Sequence, residues 1–218
     1  MTAAALVKRK TGKYLKVFTI NLKNRMVYFH DLVFSSVFMA LIIFIFLRLW
    51  QSVFSAGNRE AICGFSLADM IWYMVITEAV VLSLPPANQE LDEQVKSGQI
   101  ACYLVRPMNL ILYHFSYYLS KVVLKLPVNF LVGVILALVF VGPIGLPAHP
   151  VNLLLILFLA VSLDFIIKMN IGILSFWIEE TAPVYWIYQK LVFTLGGLMI
   201  PLDVFPDWLK TWCLKLPF

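Results

Sequence analysis

The stretch Leu32-Val-Phe-Ser-Ser-Val-Phe-Met-Ala-Leu-Ile-Ile-Phe-Ile-Phe-Leu-Arg-Leu-Trp-Gln51 carries a single charge, Arg48. It is close to the ~20 residues that an α-helix needs to cross a hydrocarbon core. Four more apolar runs follow, at about 67–86, 110–141, 151–177 and 184–202. The second opens on Ser66-Leu-Ala-Asp69, a capping-box pattern whose hydroxyl and carboxylate can satisfy free amides of a first turn. It closes on Pro85-Pro86, where a helix cannot easily continue. The reading is an all-α integral membrane protein, a polytopic helical bundle with five spans.

Composition points the same way. Of 218 residues, 61% are hydrophobic and 13% charged, with a mean hydropathy of +0.88. Soluble domains carry about 25% charged residues, and a chain of this size still leaves a large surface exposed. Lipid can cover that surface. The predicted organisation is a cytoplasmic tail and interfacial helix over 1–30, then one transmembrane domain over 31–218.

The net charge is +5, but seven of the 17 Lys and Arg precede the first apolar run: Lys8, Arg9, Lys10, Lys13, Lys16, Lys23 and Arg25. Such a cluster attracts anionic lipid and stays in the cytoplasm, so lipid is the expected partner and nucleic acid is not. With the N-terminus inside, Lys96, Arg106, Lys121, Lys125 and Lys190 bring the cytoplasmic total to 12, against Arg59, Lys210 and Lys215 outside. The topology is N-in. Between Lys10 and Met26, Leu15, Phe18, Leu22 and Met26 recur at helical spacing, the pattern of a helix lying in the membrane surface.

Ionisable residues inside spans are candidates for function because burying them is costly. Arg48 lies near the end of its span and can snorkel. Asp164 and Lys168 are four apart and share a helix face, which suits a structural ion pair. Glu78 sits near the middle of the second run with no partner at helical spacing. Glu78, Asp164 and Lys168 are the candidate intramembrane polar or translocation-path residues.

The polar stretch from 87 to 109 is longer than a connection requires. It mixes acids with Leu91, Val95, Ile100 and Leu104 and is broken at Ser97-Gly98, which reads as a short amphipathic helix, a glycine turn and a return to the membrane. The three cysteines and three histidines show no metal-ligand spacing. No phosphate-binding loop, HExxH, GxSxG or paired-carboxylate motif is present. No enzymatic activity and no cofactor are expected in this chain, and energy must come from an ion gradient or a separate ATPase.

Two stretches carry a family resemblance. Leu91-Asp-Glu-Gln-Val-Lys-Ser-Gly-Gln-Ile-Ala-Cys-Tyr-Leu-Val-Arg-Pro107 resembles the segment before the third span in one bacterial branch of the ABC-2-type transporter permeases. Gly196-Gly-Leu-Met-Ile-Pro201-Leu-Asp-Val-Phe-Pro206-Asp-Trp208-Leu is similar to the family stretch in which the fifth span ends and outer segments dip back. The resemblance implies the ABC type-2 exporter fold, six spans per permease and a second permease alongside. It also implies separate cytoplasmic ABC ATPase subunits that hold ATP and Mg²⁺, and a bacterial inner (cell) membrane. It makes 87–109 the coupling loop, in which Asn88, Glu90, Leu91, Asp92, Glu93, Val95, Lys96, Gly98, Ile100 and Arg106 form the ATPase-coupling interface. Leu91, Val95 and Ile100 are then its apolar anchors in the ATPase groove. The segment 10–26 becomes a connecting helix and 203–218 an extracellular re-entrant segment. The chain stops at Leu216-Pro217-Phe218, where the family begins its sixth span, so a shortened chain is expected rather than a five-span subunit. The competing expectation is a gradient-driven secondary transporter using Glu78 and the Asp164/Lys168 pair.

Overall fold

The computed structural model describes residues 3–26, 29–57, 61–143 and 150–216, and side chains except those of 3–11, 25–26, 29–31 and 150. The expectations placed on the side chains of Lys8, Arg9, Lys10, Arg25 and Met26, on Arg59 and on the last two residues lie outside the described residues.

Nine α-helices are described: α1 (Ala3–Met26), α2 (Phe29–Gly57), α3 (Leu67–Val81), α4 (Ala87–Lys96), α5 (Ile100–Leu104), α6 (Leu110–Phe140), α7 (Pro150–Ile173), α8 (Ala182–Leu195) and α9 (Asp207–Cys213). Tight 3₁₀ turns at Leu174–Phe176 and Leu202–Val204 complete them. Among the described residues there is no strand beyond the isolated Ile62–Phe65 bridge.

Helix α6 organises the rest. At 31 residues it is about 46 Å long, against the ~30 Å of a hydrocarbon core. Asn109 caps its start, accepting from the Leu112 amide at 3.1 Å. Its second half packs against α2 and α3. Met39, Ile43, Leu47, Trp50 and Phe54 recur every three or four residues along α2 and bury against Met70, Ile71, Met74 and Val75 of α3. Gly133 permits the approach, since an added Cβ would lie 2.8 Å from both Met39 and Val75. The first half of α6 builds a second core, in which Tyr118 and Val122 meet Val161, Phe165 and Met169 of α7 with Ala87, Leu91 and Ile100 of α4 and α5.

The leading segment follows α6 in the same direction. Tyr14 Oη accepts from the Asn109 amide at 3.0 Å, and Ser35 Oγ donates to Asn129 Oδ1 at 3.1 Å. These ties lie about 20 residues apart on both sides, so α1 and α2 advance together along one neighbour. The packed face of α1 carries Tyr14, Val17, Phe18 and Leu22. Leu15 departs from the apolar stripe read in the sequence: it is 66% exposed, because the packed face is set one position away.

Among the described residues, three helical stretches are long and apolar enough to cross a membrane: Leu32–Ala56, Leu110–Phe140 and Val151–Phe176. The runs read as second and fifth spans give shorter helices. With 15 and 14 residues, α3 and α8 are about 22 and 21 Å long. Gly196-Gly197 sits inside its run and ends α8 before the run is out, whereas α3 ends at Val81, ahead of the Pro85-Pro86 pair that closes its run. Ser66 and Asp69 make both bonds of the capping box at the start of α3, at 3.2 and 3.0 Å.

The outer faces of α2, α6 and α7 are apolar. Along α7, Val151, Leu153, Leu154, Leu155, Ile156, Phe158 and Leu159 are all exposed, as are Phe34, Val37, Phe38 and Leu41 of α2. In water each would keep its full hydration cost of roughly 25 cal/mol per Å². A bilayer removes that cost, and the chain is a membrane protein.

Candidate functional site

Two polar assemblies stand out from this apolar frame, one buried between helices and one at the α4–α5 end of the molecule.

The buried one centres on Asp164 of α7. Its carboxylate accepts from Lys168 at 2.7 Å, from Tyr118 Oη of α6 at 2.5 Å and from Tyr188 Oη of α8 at 2.9 Å. Lys168 also donates to the Pro85 carbonyl at 3.3 Å, a group freed because the proline pair interrupts the helical ladder after α3. Tyr185 Oη accepts from Gln189 at 3.0 Å and lies beside the Lys168 amine. A charge pair shielded from water is tolerable when its remaining donors and acceptors are satisfied. Here the satisfaction joins α6, α7, α8 and the α3–α4 turn into one unit.

A second polar tie lies nearby. Asn129 Nδ2 donates to Ser83 Oγ at 3.0 Å, and Ser83 in turn donates to the Ala79 carbonyl at 2.6 Å. With Ser35 it links α2, α6 and the end of α3. Glu78 takes no part: it is 4% exposed, and its carboxylate makes no hydrogen bond or ion pair with any described residue.

At the other assembly, α4 presents two unlike faces. Asn88 and Leu91 are buried against Gly172 of α7, where an added Cβ would meet Leu91 Cβ at 3.0 Å and Asn88 Cα at 3.2 Å. Leu91 is 1% exposed, Ile100 is buried and Val95 is half-buried beside them. Leu91 and Ile100, expected as apolar anchors in an ATPase groove, are covered here by helices of this chain. An apolar face takes the nearest apolar surface, and that surface is α7 of the same chain.

The opposite face of α4 is charged. Glu90 is ion-paired to Lys121 of α6, whose amine also lies over the Tyr117 ring at 4.3 Å. Asp92 pairs with Lys96 at 2.8 Å. This hydrogen bond raises the Lys96 pKa above the ordinary lysine range, and the Asp92, Glu180 and Glu179 charges add to it. Glu93 is exposed and makes no ion pair with a described residue. Ser97 ends α4, and Gly98 turns the chain with φ +73°, a left-handed conformation that side chains disfavour. Arg106 lies over the Tyr103 ring at 4.9 Å.

Between α4, α5 and the first turns of α6 is a cleft of about 690 Å³, lined by Glu90, Glu93, Gln94, Tyr103, Tyr113, His114 and neighbours. Tyr103 and Tyr113 stand 5.3 Å apart and His114 lies within 6.0 Å of both. His114 Nε2 and Gln94 Oε1 are buried without a hydrogen-bond partner among the described residues. No group of three His, Cys, Asp or Glu among those residues is placed to hold a metal ion.

A family model described as an ABC-2 family transporter protein matches residues 36–218. The chain belongs to the ABC-2 transporter family. No curated protein and no solved structure matches it. An ABC-2 permease is the membrane transport component of an ABC transporter and not itself catalytic, and the family works with an ATPase component.

Sequence reasoning missed several residues that this ABC-2 permease uses to build its assemblies. Tyr118 and Tyr188 reach Asp164 from 46 and 24 residues away, which no local spacing announces. Gly172 had a readable signal, as the one side-chain-free position on α7. The cleft residues Gln94, Tyr103, Tyr113 and His114 are spread over three helices and converge only in the fold.

Proposed function

We propose that this chain is the permease subunit of an ATP-driven exporter in a bacterial inner membrane, with its N-terminus in the cytoplasm. Two permease subunits line the translocation pathway, and separate ATPase subunits bind ATP and Mg²⁺ below them. In this reading the bundle has five spans, with α3 and α8 completed by their non-helical continuations. Residues 203–218 form an outer re-entrant segment, and residues 88–106 are the coupling element.

The observation that carries the reading is the two-faced packing of α4. One face is locked into the permease by Leu91 on Gly172, and the turn leading into it is held by the Lys168–Pro85 bond. The other face offers Glu93, Ser97 and Gly98 to whatever lies beyond. A helix gripped on one side and open on the other can pass a rigid-body displacement from an ATPase to the spans. The contact to the ATPase is then polar and made by Glu93, Lys96 and the Gly98 turn, with Glu90, Asp92, Val95 and Arg106 holding the element in shape.

The test is reconstitution of the permease with its ATPase in proteoliposomes. Exchanging residues 93–98 for a Gly-Ser linker of equal length should abolish ATP-coupled transport while the helical content of the permease stays. Transport that persists without any ATPase would instead support a gradient-driven carrier. The pairing of Asp164 with Lys168 speaks against that carrier, because it occupies two of the three charges such a mechanism would use and leaves it Glu78 alone.

A further inference from the structure

The cleft between α4, α5 and α6 has a chemistry of its own. Its walls are the rings of Tyr103, Tyr113 and Tyr117, its rim holds Glu93 and Gln99, and its buried side holds Gln94 and His114. His114 is 4% exposed, and its Nε2 has no partner among the described residues. Gln94 Oε1 is a buried acceptor in the same condition. Leaving such atoms unpaired is costly, so the site suits something that reaches in and hydrogen-bonds.

The surroundings select the sign of that group. Five carboxylates gather here, Glu90, Asp92, Glu93, Glu179 and Glu180, against three cations, Lys96, Lys121 and Arg106. Glu93, Glu179 and Glu180 make no ion pair with a described residue. This is a negative surface in a chain whose formal net charge is +5. An anion is repelled from it. An apolar group would leave Gln94 Oε1 without a donor. A planar guanidinium fits: the Tyr103 and Tyr117 rings already carry Arg106 and Lys121 of this chain, but it can stack on the Tyr113 ring, donate to Gln94 and pair with Glu93. The negative surface continues from the cleft to the turn between α7 and α8, wider than a small cation needs. That width suits a basic patch on a protein.

We propose that this cleft receives an arginine side chain of the partner ATPase, drawn in by the unpaired carboxylates around its mouth. The inference rests on the functional reading above and makes it specific. The attachment is a single cationic side chain inserted into the permease, beside a helix whose apolar face is already occupied.

The experiment uses the full permease co-purified with its ATPase in detergent. Glu93→Lys should cut the ATPase retained by about tenfold or more, as expected when like charges meet at an interface, and Gln94→Ala should cut it less. Glu93→Lys should melt with the wild-type midpoint, because that exposed side chain supports no core, and Gln94→Ala should melt no lower, because it removes an unpaired buried acceptor. Treating the isolated ATPase with phenylglyoxal, which modifies arginine, should block assembly, whereas acetylating its lysines should not. Retention of the ATPase by Glu93→Lys with unchanged salt dependence would overturn the assignment while leaving the permease reading intact. Assembly of the phenylglyoxal-treated ATPase would overturn it as well. A wild-type permease that retains no ATPase overturns the functional reading, and the cleft assignment with it.

Discussion

Gly172 lies directly beneath Leu91, so near that a Cβ on the glycine would stand 3.0 Å from the leucine Cβ. The contact joins α4 to α7 with no room for adjustment, because the Asn88 backbone closes the other side at 3.2 Å. Gly172→Leu should therefore lower thermal stability by about 1–3 kcal/mol, the usual cost of overpacking a fitted site. Gly172→Ala should be milder, since alanine gains about 1 kcal/mol of helix propensity over glycine. Thermal unfolding in detergent measures both. Equal midpoints for the wild type and Gly172→Leu would show that α4 does not sit on α7.

Removing one member of a buried pair leaves the other uncompensated. Asp164→Leu and Lys168→Met should each destabilise the bundle by about 3–5 kcal/mol. The double variant should recover part of that loss, because the stranded charge is gone. A double-mutant cycle on unfolding gives the coupling directly. Additive effects would mean that the 2.7 Å pair contributes nothing.

Gly98 meets a different constraint. No atom lies within 4 Å of where its Cβ would be, so substitution there tests backbone conformation alone. With φ at +73°, Gly98→Val should cost about 1–2 kcal/mol at the turn. Gly98→Asn should be better tolerated, as asparagine enters this region more readily. Protease sensitivity of the 96–100 segment reports the difference, and valine and asparagine variants cut at equal rates would contradict it.

Glu78 is the one buried carboxylate in α3 and has no described partner. Replacing it with leucine removes a desolvated polar group, and the variant should melt at a higher temperature, by an amount worth about 1–3 kcal/mol. If Glu78→Leu instead lowers the midpoint, the carboxylate has a partner in the assembled transporter, and cross-linking from position 78 would find it.

Much of the frame was readable in the chain, and the reasons differ by element. Helices α2, α6 and α7 are long apolar runs, and their lengths follow from hydropathy. The start of α3 was legible because Ser66 and Asp69 cap it locally. Its end was not, since Leu82 and Leu84 carry the apolar pattern on after the helix has stopped before Pro85. The i,i+4 pairing of Asp164 and Lys168 follows from helical spacing, whereas Tyr118 and Tyr188 reach the pair only through tertiary packing. For α4 the sequence revealed an apolar face but not its destination. Periodicity tells which side of a helix is covered and is silent on whether the cover is another protein or the same chain.

Tyr73 of α3 donates a hydrogen bond to the Gly197 carbonyl, a partner 124 residues further along the chain. At the ordinary pace of synthesis of roughly 5–20 residues per second, α3 waits on the order of 6–25 seconds after its own appearance before that carbonyl exists. The glycine pair after α8 is thus a late clasp on an early helix. The order of assembly is set accordingly: the α2–α3–α6 core can form before residue 197 has been made, and closure at Tyr73 comes after it.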